Sequence, residues 1–326
     1  MIEAHILTGF LGSGKTTLLR HLLARPELAD TAVVINEFGE VGLDHFLVRE
    51  VAEDAVLLQS GCLCCTVRDD LVSTLARMQA LAEAGEAPRF SRAVIETTGL
   101  ADPAPVAAAI LSDRRLSAAY RLGRIVTAID ATCGLATLQR HDTAVQQAAL
   151  ADTLVVTKAD LAEEDGLALL KRRLSEINPD AERLLSSREE PPSPASLLKP
   201  PAKASAGRSA AAAAGADAAG ARHGHGGASS FPVAFKAPVA RADFVEWLEL
   251  LLAARGDDIL RVKGLLAVKD EPRPLVVQGV QHVVYPLEAL AAWPPGAASQ
   301  LVFITRGIPH SAVARSLEDF LKVEVA

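Results

Sequence analysis

The sequence predicts an α/β fold: a nucleotide-binding domain with a mainly parallel sheet, followed by a smaller C-terminal α+β domain. Three observations predict it. Short apolar runs alternate with helical stretches over the first 187 residues, the pattern of a parallel sheet. A strand-like run leads into Gly9-Phe10-Leu11-Gly12-Ser13-Gly14-Lys15-Thr16, a full G-x-x-x-x-G-K-T phosphate loop. From residue 231 several adjacent strand-like runs are flanked by helical ones, the pattern of an α+β domain.

In order, residues 2–8 read as a strand, 9–14 as a loop and 15–24 as a helix. Residues 33–35 form a second strand ahead of the polar Asn36-Glu37-Phe38-Gly39. Residues 56–58 lead into Gly61-Cys62-Leu63-Cys64-Cys65, and 70–84 have helical periodicity. Residues 92–95 form a strand ending at Glu96-Thr97-Thr98-Gly99, and 124–129 and 153–156 are further strands. Residues 188–230 break the pattern with Pro191-Pro192, Pro194, Pro200-Pro201 and an Ala/Gly/Ser tract, so they are expected to be a flexible linker. Beyond it, 231–235, 259–268, 275–278, 281–285 and 300–305 read as strands, and 241–254 and 311–321 as helices. The expected domains are therefore 1–187 and 231–326.

The chain has 326 residues, enough for two domains of ~150 residues, and half are hydrophobic. A net charge of −7 argues against a general nucleic-acid surface. Lys171-Arg172-Arg173 reads as a solvated helix face. No signal peptide or membrane-spanning apolar run of about 20 residues is visible. Four cysteines in this length make no disulfide framework, so reduced thiols and a cytoplasmic location are expected.

The phosphate loop supplies the first chemistry. Glycines let backbone N–H groups wrap one anion, and the following helix directs its positive end at it. Gly9, Gly12, Ser13, Gly14, Lys15, Thr16 and Thr17 are the candidate phosphate-binding residues. Lys15 would reach the β- and γ-phosphates, and the Thr16 hydroxyl would hold Mg²⁺. Glu96, at a strand end, is the candidate second Mg²⁺ partner and, with Lys15 and Thr16, a candidate catalytic residue; the bland alternative is an ordinary acidic strand end. Gly99 would offer a backbone N–H to the γ-phosphate.

Thr157-Lys158-Ala159-Asp160 stands just beyond an apolar strand. An Asp160 carboxylate there accepts both N–H donors of guanine's Watson–Crick edge, which adenine cannot match. Thr157 is expected to give one hydrogen bond in support of the base. The alternative is that Asp160 caps the next helix.

Cys62, Cys64 and Cys65 are soft ligands suited to Zn²⁺, Cu⁺ or cobalt. Three thiolates do not complete a tetrahedral zinc site, and Glu37, in a loop placed to sense a γ-phosphate, is the candidate additional ligand. Buried small hydrophobes, a redox pair or a nucleophile are the competing readings of these cysteines. Cys133 is expected to be packed. His223-Gly224-His225 either gathers metal weakly or is an ordinary polar stretch, and His45, His282 and His310 show no partner in sequence.

Together these residues resemble the CobW-like family of P-loop GTPases. The resemblance rests on 9–16, Asn36-Glu37-Phe38-Gly39-Glu40-Val41-Gly42, Gly61 to Cys65, Glu96-Thr97-Thr98-Gly99 and Thr157-Lys158-Ala159-Asp160. In the second domain Arg261-Val262-Lys263-Gly264 and Trp293-Pro294 carry it. Many GTPases have Asn where this chain has Thr157. The resemblance implies a weak GTPase using GTP and Mg²⁺ that loads zinc or cobalt into client metalloproteins or a metal-cofactor pathway. The second domain would recognise the client. A P-loop phosphoryl transferase with structural cysteines, and a metal buffer or sensor with little turnover, are the alternatives.

Overall fold

Seven strands pair side by side, every pair parallel, in a computed structural model that describes residues 1–36, 57–59, 67–198 and 227–325. They are β1 (Ile2–Gly9), β2 (Thr31–Asn36), β3 (Leu57–Gln59), β4 (Arg92–Thr97), β5 (Tyr120–Asp130), β6 (Thr153–Thr157) and β7 (Glu182–Leu185). Their order is β3-β2-β4-β1-β5-β6-β7. Helices α1 (Lys15–Leu23), α2 (Val67–Ala84), α3 (Ala104–Ser112), α4 (Arg114–Ala119), α5 (Gly134–Arg140), α6 (Asp142–Leu150) and α7 (Glu164–Ile177) connect them.

The apolar runs have no polar alternation because both faces of the sheet are covered. Ala4 and Ile6 of β1, Val34 of β2 and Ile95 of β4 pack on one face with Leu71, Leu75, Ile110 and Leu116. Leu7, Val33, Ile35 and Val94 pack on the other with Leu18, Leu19 and Leu22 of α1. Successive strand residues point to opposite faces, so one run serves two cores. The expected linker is ordered at its start. Ser193 caps α8 (Pro194–Leu197), its Oγ accepting from the Ser196 N–H at 3.3 Å. Leu197 and Leu198 are buried in the α1-side core. Proline fits the first turn of a helix, where its missing N–H costs nothing.

The chain order reverses direction at β1: β4, β2 and β3 lie on one side, β5 to β7 on the other. Ligands of parallel sheets bind at such a switch, beyond the carboxyl ends of the strands. Register aligns Leu7 with Glu96 and Val126, and Asp130 with Thr157, so Gly9, Glu96, Asp130 and Thr157 all reach that edge.

The described residues form two compact units, 1–171 with 181–198, and 172–180 with 227–325. In the second, β8 (Ala228–Ala234), β9 (Ile259–Val268), β10 (Glu271–Val280), β11 (Val283–Val284), β12 (Glu288–Ala289) and β13 (Gln300–Arg306) make an antiparallel sheet. Strand β8 begins three residues before the expected Phe231. Helices α9 (Arg241–Arg255) and α10 (His310–Leu321) bury Phe244, Trp247, Leu248, Leu252, Val313 and Leu317 in one core with sheet residues Val262 and Phe303. Gly264 lets β9 and β13 come together, since a Cβ there would lie 2.0 Å from the Gln300 carbonyl oxygen. No helix among the described residues is long and apolar enough to cross a membrane.

Candidate functional site

Strand β1 delivers Gly9 to the sheet edge at φ +142, where a Cβ would sit 2.3 Å from the Ala128 carbonyl oxygen. The loop folds tightly, with the Ser13 N–H donating to the Phe10 carbonyl at 3.1 Å. Gly12 (φ +73) and Gly14 (φ +85) take left-handed backbone that a side chain would strain. Gly14 caps α1, whose first turn has no acidic residue. Its orphan N–H groups and dipole therefore stay available to an anion. The buried Lys15 ammonium donates to the Gly9 carbonyl at 2.9 Å and the Phe10 carbonyl at 3.3 Å, which holds it at the loop.

At the second residue of α1, the Thr16 hydroxyl donates to Glu96 Oε1 at 2.7 Å. Glu96 is buried at the end of β4. A hydroxyl and a carboxylate oxygen, side by side behind a phosphate loop, are hard donors of the kind Mg²⁺ takes. The structure thus brings together two residues 80 positions apart in the chain.

After β4, the Ala101 N–H donates to the Thr98 carbonyl at 3.1 Å, closing a turn. Gly99 presses on the phosphate loop, for a Cβ there would lie 2.7 Å from the Leu11 nitrogen. Thr97 and Thr8 share a buried hydrogen bond of 2.8 Å that joins β4 to β1.

On the other side of the loop a cleft of about 790 Å³ is lined by Gly14, Thr17, Thr157, Lys158, Asp160 and residues 186–188, among others. Thr157 lines this cleft, with its hydroxyl turned towards the phosphate loop. Its hydroxyl donates to the Ser13 carbonyl at 2.7 Å, with the Ile129 carbonyl at 3.2 Å. A hydroxyl has one proton, and here it braces the phosphate loop. Lys158, left-handed at φ 54, donates to the Gly12 carbonyl at 3.0 Å and to Asp130 Oδ2 at 2.6 Å. Burial would raise the Asp130 carboxyl, but hydrogen bonds from Lys158 and Thr132 outweigh it and hold the group below its ordinary value. Asp160 is exposed at the cleft, where its carboxylate is open to a base.

A model of the CobW/HypB/UreG nucleotide-binding domain matches residues 3–184. The chain belongs to the CobW family of P-loop GTPases. The cobalamin synthesis protein CobW C-terminal domain matches residues 228–321. A zinc chaperone of Escherichia coli, YjiA, is 31% identical over 288 residues, 86% of this chain and 87% of that protein. A zinc chaperone CobW of Pseudomonas aeruginosa is 31% identical over 313 residues, 84% of this chain and 79% of that one. The crystal structure of Zn(II)-bound YjiA GTPase from E. coli is similar with a TM-score of 0.70, at 26% identity over 98% of both chains.

Within this CobW-family chain, the expected cargo ligands Cys62, Cys64, Cys65 and Glu37 lie outside the described residues, as do His45, His223 and His225. Among the described residues no group of three His, Cys, Asp or Glu side chains could hold a metal ion. Cys133, expected to be packed, is exposed, because it precedes α5 at a turn and not on the strand. Sequence reasoning missed Asp130, Gln147 and residues 186–188. The last follow β7, whose four residues Glu-Arg-Leu-Leu carry too little pattern to mark a strand.

Proposed function

We propose that this chain is a GTP-hydrolysing metal chaperone that binds zinc, with cobalt as second choice, and passes it to a client metalloprotein or metal-cofactor assembly enzyme. The observation that carries the nucleotide half is the Thr16–Glu96 pair, 2.7 Å apart behind the glycine loop. On this reading Gly9, Gly12, Ser13 and Gly14 surround the phosphates, and Lys15 binds the β- and γ-phosphate oxygens. Thr16 and Glu96 hold Mg²⁺, which when bound neutralises developing phosphate charge. Thr17, Lys158 and Asp160 border the base, and Gly99 faces the γ-phosphate.

The cargo half is supported by the Cys62-Leu63-Cys64-Cys65 spacing and by relatives named as zinc chaperones. Glu37 would join the thiolates when a γ-phosphate orders its loop, and leave when hydrolysis removes that contact. Residues 1–187 would be the GTPase domain, 231–326 the client-recognising domain and 188–230 the connector. A cytoplasmic location without membrane or nucleic-acid partners completes the reading.

Cys64→Ala tests it. Zinc titration of the full chain with a GTP analogue present should show binding weakened at least tenfold, while GTP affinity without metal stays within about twofold; one lost zinc ligand is worth more than 1.4 kcal/mol. Unchanged zinc affinity would remove the thiol loop from the cargo site.

A further inference from the structure

We propose that Gln146 and Gln147 of α6 are positioning residues that set how strongly the Thr98–Asp102 loop distinguishes a nucleoside triphosphate from a diphosphate. The inference rests on the reading of Gly99 as the γ-phosphate contact. Gln147 is fully buried, and its Nε2 donates to two carbonyls of that loop, Ala101 at 2.9 Å and Gly99 at 3.3 Å. Turning the amide over would set its oxygen against both carbonyl oxygens, so the network fixes its orientation. Gln146 Nε2 donates to Asp102 Oδ2 at 2.7 Å, and Asp102 Oδ1 accepts from the Ala104 N–H at 2.9 Å. The helix is itself tied to the sheet, since the Thr127 hydroxyl of β5 donates to the Gln147 carbonyl at 2.8 Å.

Two features argue for a positioning role over simple packing. Gln147 Oε1 is buried and accepts no hydrogen bond from the protein among the described residues. A buried acceptor left so costs on the order of 1–3 kcal/mol, a cost an apolar side chain would not carry. The second feature is the direction of the turn. The Thr98 carbonyl points inward to Ala101, and in a trans peptide the Gly99 N–H must point the opposite way, out of the turn. Anchoring the Gly99 and Ala101 carbonyls from the α6 side holds that N–H in place beside Leu11. On the same reading the remaining phosphates are held by residues 9–16, whereas the glutamine side chains bond to Gly99, Ala101 and Asp102, so loosening the loop bears mainly on what the γ-phosphate adds.

The test measures Kd for GDP and for a non-hydrolysable GTP analogue, with Mg²⁺, on the full-length chain. Gln147→Met keeps the volume and removes both donors. It should lower analogue affinity relative to GDP about tenfold, the loss of one hydrogen bond to a charged group. Gln146→Ala should lower the same ratio about threefold, the low end of a hydrogen bond's net worth, because the Ala104 N–H still holds Asp102 and Gln147 still holds the loop. A folded Gln147→Met whose ratio equals wild type, or in which both nucleotides weaken equally, overturns the proposal. Should Gln147→Met not fold, Gln146→Ala decides, and an unchanged ratio there overturns it. Wild-type protein that binds neither nucleotide would instead overturn the nucleotide reading on which the inference stands.

Discussion

Thr157 and Asp160 sit three residues apart in one motif, yet one is buried and hydrogen-bonded and the other exposed. The Thr157 hydroxyl braces the phosphate loop at the Ser13 carbonyl, which serves any nucleoside triphosphate. Asp160 stands exposed on the cleft, where it would read guanine. Thr157→Val should therefore weaken GTP and ATP alike, by roughly tenfold for a buried acceptor left unpaired. Asp160→Ala should weaken GTP alone, by about 10–150-fold for lost hydrogen bonds to a charged group. Competition binding with both nucleotides checks this; wild-type protein indifferent to the base would defeat the guanine assignment. At this scale the phosphate loop was legible because each glycine and Lys15 answers to a backbone or charge requirement visible in the motif. Asp130 was not, because its meaning lies in Lys158, 28 positions away, closing on it at 2.6 Å. Gln147 looked like any helix residue until two loop carbonyls arrived at its amide.

Strand β1 carries the phosphate loop at its end and a buried, titratable histidine in its middle. His5 Nδ1 accepts from the Arg124 N–H at 3.0 Å. Burial, followed by the charges of Arg92 and Arg124, holds its pKa down to about 3, even with a Glu3 oxygen 3.7 Å from Nε2. The unfolded chain protonates near the ordinary 6.5. Between those values the unfolded state carries the extra proton, so stability falls as pH drops from 6.5 towards 3 and is unaffected by this group above 6.5. The loss should reach a few kcal/mol. Denaturant unfolding across that range should show the slope, and His5→Asn, which keeps an acceptor without the titration, should flatten it. An equal slope in the variant would mean that other groups carry the acid sensitivity. Strand and helix order were legible from apolar runs, but their ends were not. β5 begins at Tyr120, four residues before the apolar run at 124–129, because Tyr120 is buried and its hydroxyl donates to the Leu75 carbonyl. Prolines at 191–194 suggested a linker, yet Leu197 and Leu198 finish a core.

For the whole molecule, two units with separate cores stand beside two matched family domains, 3–184 and 228–321, and only 172–180 group across that division. The net charge of −7 argues against a general nucleic-acid surface, and Lys171-Arg172-Arg173 reads as a solvated helix face. Nucleotide state is proposed to govern a metal site built from Cys62, Cys64, Cys65 and Glu37. By linkage, if GTP tightens metal binding, metal must tighten GTP binding by the same factor. The most direct measurement is zinc affinity of the full-length protein with a GTP analogue and Mg²⁺ against GDP and Mg²⁺. Zinc should bind more tightly with the analogue, by about 5–150-fold, as coupled sites typically show. Equal zinc affinity in the two states would contradict it.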